Sequence, residues 1–271
     1  EDEFSGDHRK TLGAIETYRA FCKNFRKGRP FAQIIPMWRL DAIMKVNDRY
    51  CSFYYELDED YGEIVIDGSR TALLIVDMQY HFLTRPDTSG MSEREKAYYG
   101  RWEYFYDRVD NEVIPNNARL LSAFRERKML VAHARITGQL ANGRDRSLDQ
   151  KATGYNELLL LDGTPAGEIV APLAPRENEL VVRKTTDSAL TGTSLRLMLH
   201  NCGIDTVVVT GVLTDQCVSG TVRSLADESF KVWLVEDACG ASTREIQEHE
   251  LSVLNNIYCH VVSTDELIAA L

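Results

Sequence analysis

The sequence lacks any apolar run approaching the ~20 residues that a membrane span needs, so no bilayer-crossing helix is expected. It also lacks an excess of positive charge. The 31 Lys and Arg are outnumbered by 41 Asp and Glu, for a formal net charge of −10. That balance argues against nucleic acid and against an anionic membrane surface as partners. It says little about a small-molecule substrate, whose site can carry its own local charge. There is no CxxC motif and no even cysteine rhythm. The 6 cysteines stand apart at Cys22, Cys51, Cys202, Cys217, Cys239 and Cys259. A chain of this size does not need disulfide staples, and free thiols in a reducing cytoplasm are expected. Internal repeats and low-complexity segments are absent as well. The opening EDEFSGDHRK is acidic and polar, unlike a signal peptide; because it begins on Glu1 and not Met, missing upstream sequence is expected.

At 271 residues the chain is long for one domain but can still be one around a sizeable core. Residues 1–67 differ in texture from the rest. Leu12, Ile15, Tyr18, Phe21, Cys22 and Phe25 recur at helical spacing, so Thr11–Arg26 is expected to be an amphipathic helix. Pro30 and Pro36 interrupt, and Met37–Val46 is a second candidate helix. Tyr50–Tyr55 is rich in strand formers without a clear alternation. Residues 1–67 therefore suggest a partly helical N-terminal arm that packs on the main domain, 68–271, or on a neighbouring subunit.

From residue 69 the pattern sharpens. Thr71–Val76 is a continuous apolar run bounded by polar residues, which suits a strand buried on both faces. Further strands are expected at Lys128–Ala134, Glu179–Arg183, Thr206–Thr210, Val232–Val235 and Tyr258–Val262, with helices at Asn111–Arg127, Ser194–Asn201, from about Gln216, and Thr243–Asn255. This alternation predicts an α/β, three-layer α-β-α fold around a six-stranded, mostly parallel sheet. Residues 80–111, aromatic and charged, are expected to form a long loop and a candidate lid.

Three strand ends carry chemistry. Asp77 follows the first strand, Lys184 follows Glu179–Arg183, and Cys217 lies in the turn after Thr206–Thr210. Open α/β sheets place their sites at such ends. A thiol at a helix start has its pKa lowered toward the nucleophilic thiolate. A turn-capping role for Asp77 and a core role for Cys217 are the alternatives. Together, a carboxylate can take the thiol's proton and return it to a leaving amine, while a lysine favours the charged forms. In the segment after the second strand, Arg135, Gln139, Arg144 and Arg146 are candidates to receive a substrate carboxylate or carbonyl.

The segments TALLIVDMQ, VVRKTTDSALTGTSL and VVVTGVLTDQCVSGTVRSLADESFKVWLVEDACGAS resemble the signature segments of the isochorismatase-like cysteine hydrolase superfamily, over about residues 69 to 265. The resemblance implies a triad of Cys217 as nucleophile, Asp77 as base and Lys184 as electrostatic partner, forming a thioester and releasing ammonia or an amine. It implies a cis peptide at Val212–Leu213 and an oxyanion hole formed by the Leu213 and Cys217 N–H groups. Gln79, Phe82, Arg135, Gln139 and Gln216 are the candidate substrate contacts. His133-Ala-Arg135 stands where nicotinamidases of this superfamily carry Asp-x-His, and His81 and His133 alone make no site, so neither metal nor other cofactor is expected. Because Cys217 is present, hydrolysis of a small linear amide or ureido compound, as in the biuret, triuret, ureidoacrylate and N-carbamoylsarcosine amidohydrolases, is the expected activity. A vinyl-ether hydrolase acting on isochorismate and a catalytically idle interaction domain are the alternatives. The resemblance also implies a homo-oligomer, a dimer or tetramer.

Overall fold

The computed structural model describes residues 48–56 and 64–271, all within one compact unit. The helices expected at Thr11–Arg26 and Met37–Val46 lie outside the described residues. Six strands, β1 (Thr71–Val76), β2 (Leu130–Ile136), β3 (Leu180–Lys184), β4 (Thr206–Val212), β5 (Lys231–Gly240) and β6 (His260–Val262), form one sheet in the order β3-β2-β1-β4-β5-β6. Every neighbouring pair is parallel. The chain first builds outward from β1 to β3, then restarts at β4 on the other side of β1. The crevice beyond the carboxyl ends of β1 and β4 is therefore the topological switch point, where such sheets bind ligands.

All six residues of β1 are buried, as a central strand covered on both faces requires. Its side chains divide between two cores with the period of the pleat. Ala72, Leu74 and Val76 join the core beneath α5 (Leu195–Asn201), α6 (Ser219–Asp227) and α7 (Arg244–Leu254). Leu73 and Ile75 join the core beneath α4 (Ile114–Glu126) and α8 (Thr264–Ala270). The result is the expected three-layer arrangement. Among the described residues no helix is long and apolar enough to cross a membrane.

One stretch departs from the sequence reading, and a second is decided where the sequence left its structure open. Residues 80–111 are largely helical and not a long loop: α1 (Tyr80–Leu83), α2 (Glu93–Gly100) and α3 (Glu103–Arg108) run into a π-turn at Val109–Val113. Ser92 and Glu95 make reciprocal bonds that start α2 as a capping box. Pro115 has no N–H to give to the preceding turn, and the wide π-turn lies just ahead of it. Tyr50–Tyr55 contains no strand; it falls in two 3-10 turns, Asp48–Tyr50 and Phe53–Tyr55. There the Tyr50 hydroxyl donates to the buried Glu236 carboxylate on β5, and Asn255 Nδ2 donates to the Tyr50 carbonyl at 3.3 Å.

One glycine sets the spacing at the switch point. Gly211 sits at φ +116°, and a Cβ on it would lie 2.0 Å from the Val76 carbonyl oxygen. Gly211→Ala should therefore force β1 and β4 apart and lower stability by roughly 3 kcal/mol or more. A urea-denaturation midpoint equal to that of the parent protein would show that this spacing has slack.

Candidate active site

The sheet brings Asp77, Lys184 and Cys217 together by three different local devices. Asp77 stands one residue past β1 with φ +52°, a left-handed conformation that aspartate tolerates better than most residues. Its N–H donates to the Ala134 carbonyl at 2.9 Å, which fixes the turn to β2. Lys184 is the last residue of β3, two strands from β1, a separation of roughly 9–10 Å. Only a long side chain crosses the end of β2 to reach Asp77. Lys184 Nζ lies 2.7 Å from Asp77 Oδ2, 3.2 Å from Cys217 Sγ and 3.1 Å from the Thr186 carbonyl oxygen.

Cys217 belongs to a π-turn, Thr214–Val218, between β4 and α6. The turn is pinned from outside: Thr214 Oγ1 donates to Gln247 Oε1 at 2.7 Å, and Ser219 Oγ donates to Glu250 Oε1 at 2.5 Å. The Val212–Leu213 peptide bond is cis. Leu213 and Cys217 both border a cleft of about 900 Å³ that opens above Asp77.

The electrostatics correct one expectation. The Cys217 thiol has a pKa well above its ordinary value, not below it, because burial and then the neighbouring Asp77 charge outweigh the help from Lys184. The helix start at α6 does not reverse this. Burial raises the Asp77 carboxyl, with Lys184 opposing. Burial works against the Lys184 ammonium, but Asp77 and then Cys217 hold its pKa above the usual lysine value. The site thus sets a thiol that is a weaker acid than usual beside a lysine–aspartate pair, with a carboxylate more basic than usual next to the thiol.

The candidate substrate contacts divide. Phe82 and Gln216 line the cleft; Gln79, Arg135 and Gln139 do not. Gln79 is fully buried, and its amide bridges the Ile136 N–H, the Ile136 carbonyl and the Gly167 carbonyl at 2.9, 3.0 and 2.8 Å. It staples β1 to the following loops. Arg135 is paired with Asp162 and Glu168 at 2.6 and 3.0 Å, on the opposite pleat face from Ile136, which lines the cleft. Gln139 is exposed in a loop closed by its N–H to Asp145 Oδ2, 2.7 Å. Arg146 is spent on the Gly143, Gln150 and Leu158 carbonyls.

Other residues take the places these leave. Asp187, three residues after Lys184, has Oδ1 3.9 Å from Cys217 Sγ. Its loop is tied to α6 by Ala189 N–H to Thr221 Oγ1 at 2.9 Å. Tyr98, Tyr99, Trp102 and Tyr106 from 80–111, with Asp149, Gln150 and Tyr155 from beyond β2, form the outer walls. The aromatic, charged character of 80–111 is the sequence signal for the first four; nothing in the sequence pattern marks Asp149, Gln150 or Tyr155. His133 is buried with Nε2 3.4 Å from Glu179 Oε2, and among the described residues no cluster of three or more His, Cys, Asp or Glu is arranged to hold a metal.

The ion pair can be tested by removing one partner. Lys184→Met leaves Asp77 buried without its counter-charge, and at neutral pH should cost about 3–5 kcal/mol. The sign of the pH dependence follows. Without Lys184 the folded-state pKa of Asp77 rises further above its unfolded value, so the folded variant holds a proton that the unfolded chain has released. Stability of the variant should then fall as pH rises from the ordinary carboxylate range through the raised pKa. Urea denaturation at pH 5 and pH 8 checks this; equal or greater stability of the variant at pH 8 would contradict it.

Comparison with known proteins agrees with this architecture. The model of the isochorismatase domain matches residues 71–266. The maleamate amidohydrolase of Pseudomonas putida is 28% identical over 59% of this chain and 74% of its own length. The N-carbamoylsarcosine amidase of an Arthrobacter species is 28% identical over 58% of this chain and 60% of its own. In fold, a cysteine hydrolase from Pseudomonas syringae pv. phaseolicola superposes with a TM-score of 0.65 at 23% identity, covering 79% of this chain and 98% of that one. With the family model spanning most of the chain and the parallel sheet matching in fold, this protein belongs to the isochorismatase family.

Proposed function

We propose that the chain is a cysteine-dependent hydrolase that cleaves the C–N bond of a small linear amide or ureido compound through a thioester, releasing ammonia or an amine. It is a hydrolase acting on amide C–N bonds, the class to which its amidohydrolase relatives belong. The observation that carries the cysteine mechanism is the position of Lys184 Nζ, 2.7 Å from Asp77 and 3.2 Å from Cys217 at the edge of the cleft.

The chemistry follows from the charges. Asp77 takes the thiol proton as Cys217 Sγ attacks the carbonyl carbon, so thiolate forms only when its proton has somewhere to go. Lys184, close to both groups, offsets whichever one is negative. Negative charge then moves to the carbonyl oxygen, where the Leu213 and Cys217 N–H groups act as oxyanion donors, each worth about 3–4 kcal/mol of barrier by the scale of known holes. The C–N bond breaks as Asp77 returns its proton to the departing nitrogen. Water, deprotonated by Asp77, cleaves the thioester and restores the thiol. A raised Asp77 pKa suits both directions of this transfer.

Cys217→Ala should lower ammonia release across a panel of ureido and amide compounds by about 10⁴-fold or more, with an unchanged circular dichroism spectrum. Turnover retained in the alanine variant would remove the cysteine from the mechanism.

A further inference from the structure

Asp77, Lys184 and the thiol nearly balance one another, so the character of the cleft is set by its other walls. Three more carboxylates line it, those of Asp149, Asp187 and Asp215. None of them forms an ion pair with a described Lys, Arg or His, and the cations nearby are engaged elsewhere. Lys184 faces Asp77. Arg223 lies 3.2 Å from Glu250 and stacks over the Tyr258 ring at 4.5 Å. His81, also in the cleft, has its pKa lowered by burial and adds no charge near neutrality. Asp215 Oδ1 is buried with no hydrogen-bond partner among the described residues.

The remaining wall is aromatic. The Trp102 and Tyr155 rings stack with centroids 5.7 Å apart and planes at 21°, beside Tyr98, Tyr99 and Tyr106. One buried polar group independently calls for a ligand. Gln150 is 1% exposed and borders the cleft, yet neither Oε1 nor Nε2 of its side chain has a hydrogen-bond partner among the described residues. Buried carboxamides are rarely left so. Gln150 adjoins Asp149, and Ser147 N–H to Thr185 O at 2.9 Å ties this loop to the segment that holds Asp187.

Unpaired carboxylates, the orphaned Gln150 Oε1 and π-faces share one complementary ligand, a nitrogen cation, while the orphaned Gln150 Nε2 calls for an acceptor such as a substrate oxygen. An anion would be repelled here, and a neutral group would leave the carboxylates desolvated without return. We propose that the substrate carries an ammonium or guanidinium group a few bonds from the scissile carbonyl, received by Asp149, Asp187 and Gln150 against the Trp102–Tyr155 wall. The contact of 3.9 Å between Asp187 and Cys217 Sγ sets the short spacing. This names the substrate class of the amidohydrolase reading and rests on it.

The test separates the two. Aminoethyl methanethiosulfonate and sulfonatoethyl methanethiosulfonate are reagents of similar length and opposite charge; a thiolate displaces methanesulfinate from either to form a mixed disulfide. Peptide mapping reads their rates at Cys217 and, as an internal reference, at the exposed Cys202. The cation-to-anion rate ratio at Cys217 should exceed that at Cys202 by about tenfold or more at low ionic strength. It should shrink as salt is added, and shrink in Asp187→Asn and in the exposed-site variant Asp149→Asn. A ratio at Cys217 no greater than at Cys202 overturns the inference and leaves the amidohydrolase reading standing. Failure of both reagents to modify Cys217 overturns the reachable nucleophile and this inference with it. In turnover, β-alaninamide should exceed propanamide in kcat/KM by about tenfold or more, the steering scale for such a cleft. Ammonia released from propanamide at an equal or higher kcat/KM would likewise sink the inference alone.

Discussion

The buried pair of Asp77 and Lys184 is the constraint around which the rest of this site is arranged. Both side chains are almost wholly removed from water, at 1% and 0% exposure, and their nearest charged atoms are 2.7 Å apart. Such a pair is a poor source of stability, since desolvating each ion costs several kcal/mol that the attraction only roughly offsets. Its value is chemical. A carboxylate that is hard to keep charged and a lysine that keeps it so make a base stronger than a solvated aspartate, placed beside a thiol that is itself a weaker acid than usual. In the proposed reaction the proton transfer is thereby matched at both ends. Neither group has to be reactive in the absence of the other.

The fold supplies the geometry through the sheet edge and the short turns that leave it. Parallel strands all end on one edge, and the reversal of strand order between β1 and β4 opens a crevice there. Gly211 lets β4 approach the Val76 carbonyl, and the left-handed turn at Asp77 begins the exit from β1. Lys184 reaches the pair from the end of β3. Each device belongs to a different segment, so the site exists only once the sheet has formed.

The strands, and the meeting of Asp77, Lys184 and Cys217 at one sheet edge, were legible in sequence because each is written locally. A run such as TALLIV can hardly be anything but a buried strand, and residues just past such runs have a known edge to occupy. What local patterns miss is direction. Arg135 lies one residue before Ile136, and the pleat alone turns it to the opposite face from the cleft. Gln79 follows Asp77 closely but faces inward to staple loops. The sign of the Cys217 shift was also missed: the helix-start argument is local, whereas the burial that outweighs it is a property of the assembled core. The helices within 80–111 carried a readable signal in Ser92 and Glu95, a capping box hidden among charges that had suggested a loop.

This division between local and assembled information also separates chemistry from selectivity. Asp77, Lys184 and Cys217 sit on the sheet edge, where small shifts break buried contacts of about 3 Å. The aromatic and acidic walls come from segments inserted between the strands, α2, α3 and the loops after β2 and β3, several of whose side chains face solvent. A substitution in α2, α3 or the loop after β2 changes what the cleft attracts, whereas the loop after β3 also touches Lys184 and Cys217. On the proposed mechanism, a substitution at the strand ends changes whether any bond is cut. The two amidohydrolase relatives, each 28% identical to this chain, carry different substrates in their names, as expected where the walls of a cleft are held less tightly than a fully buried ion pair.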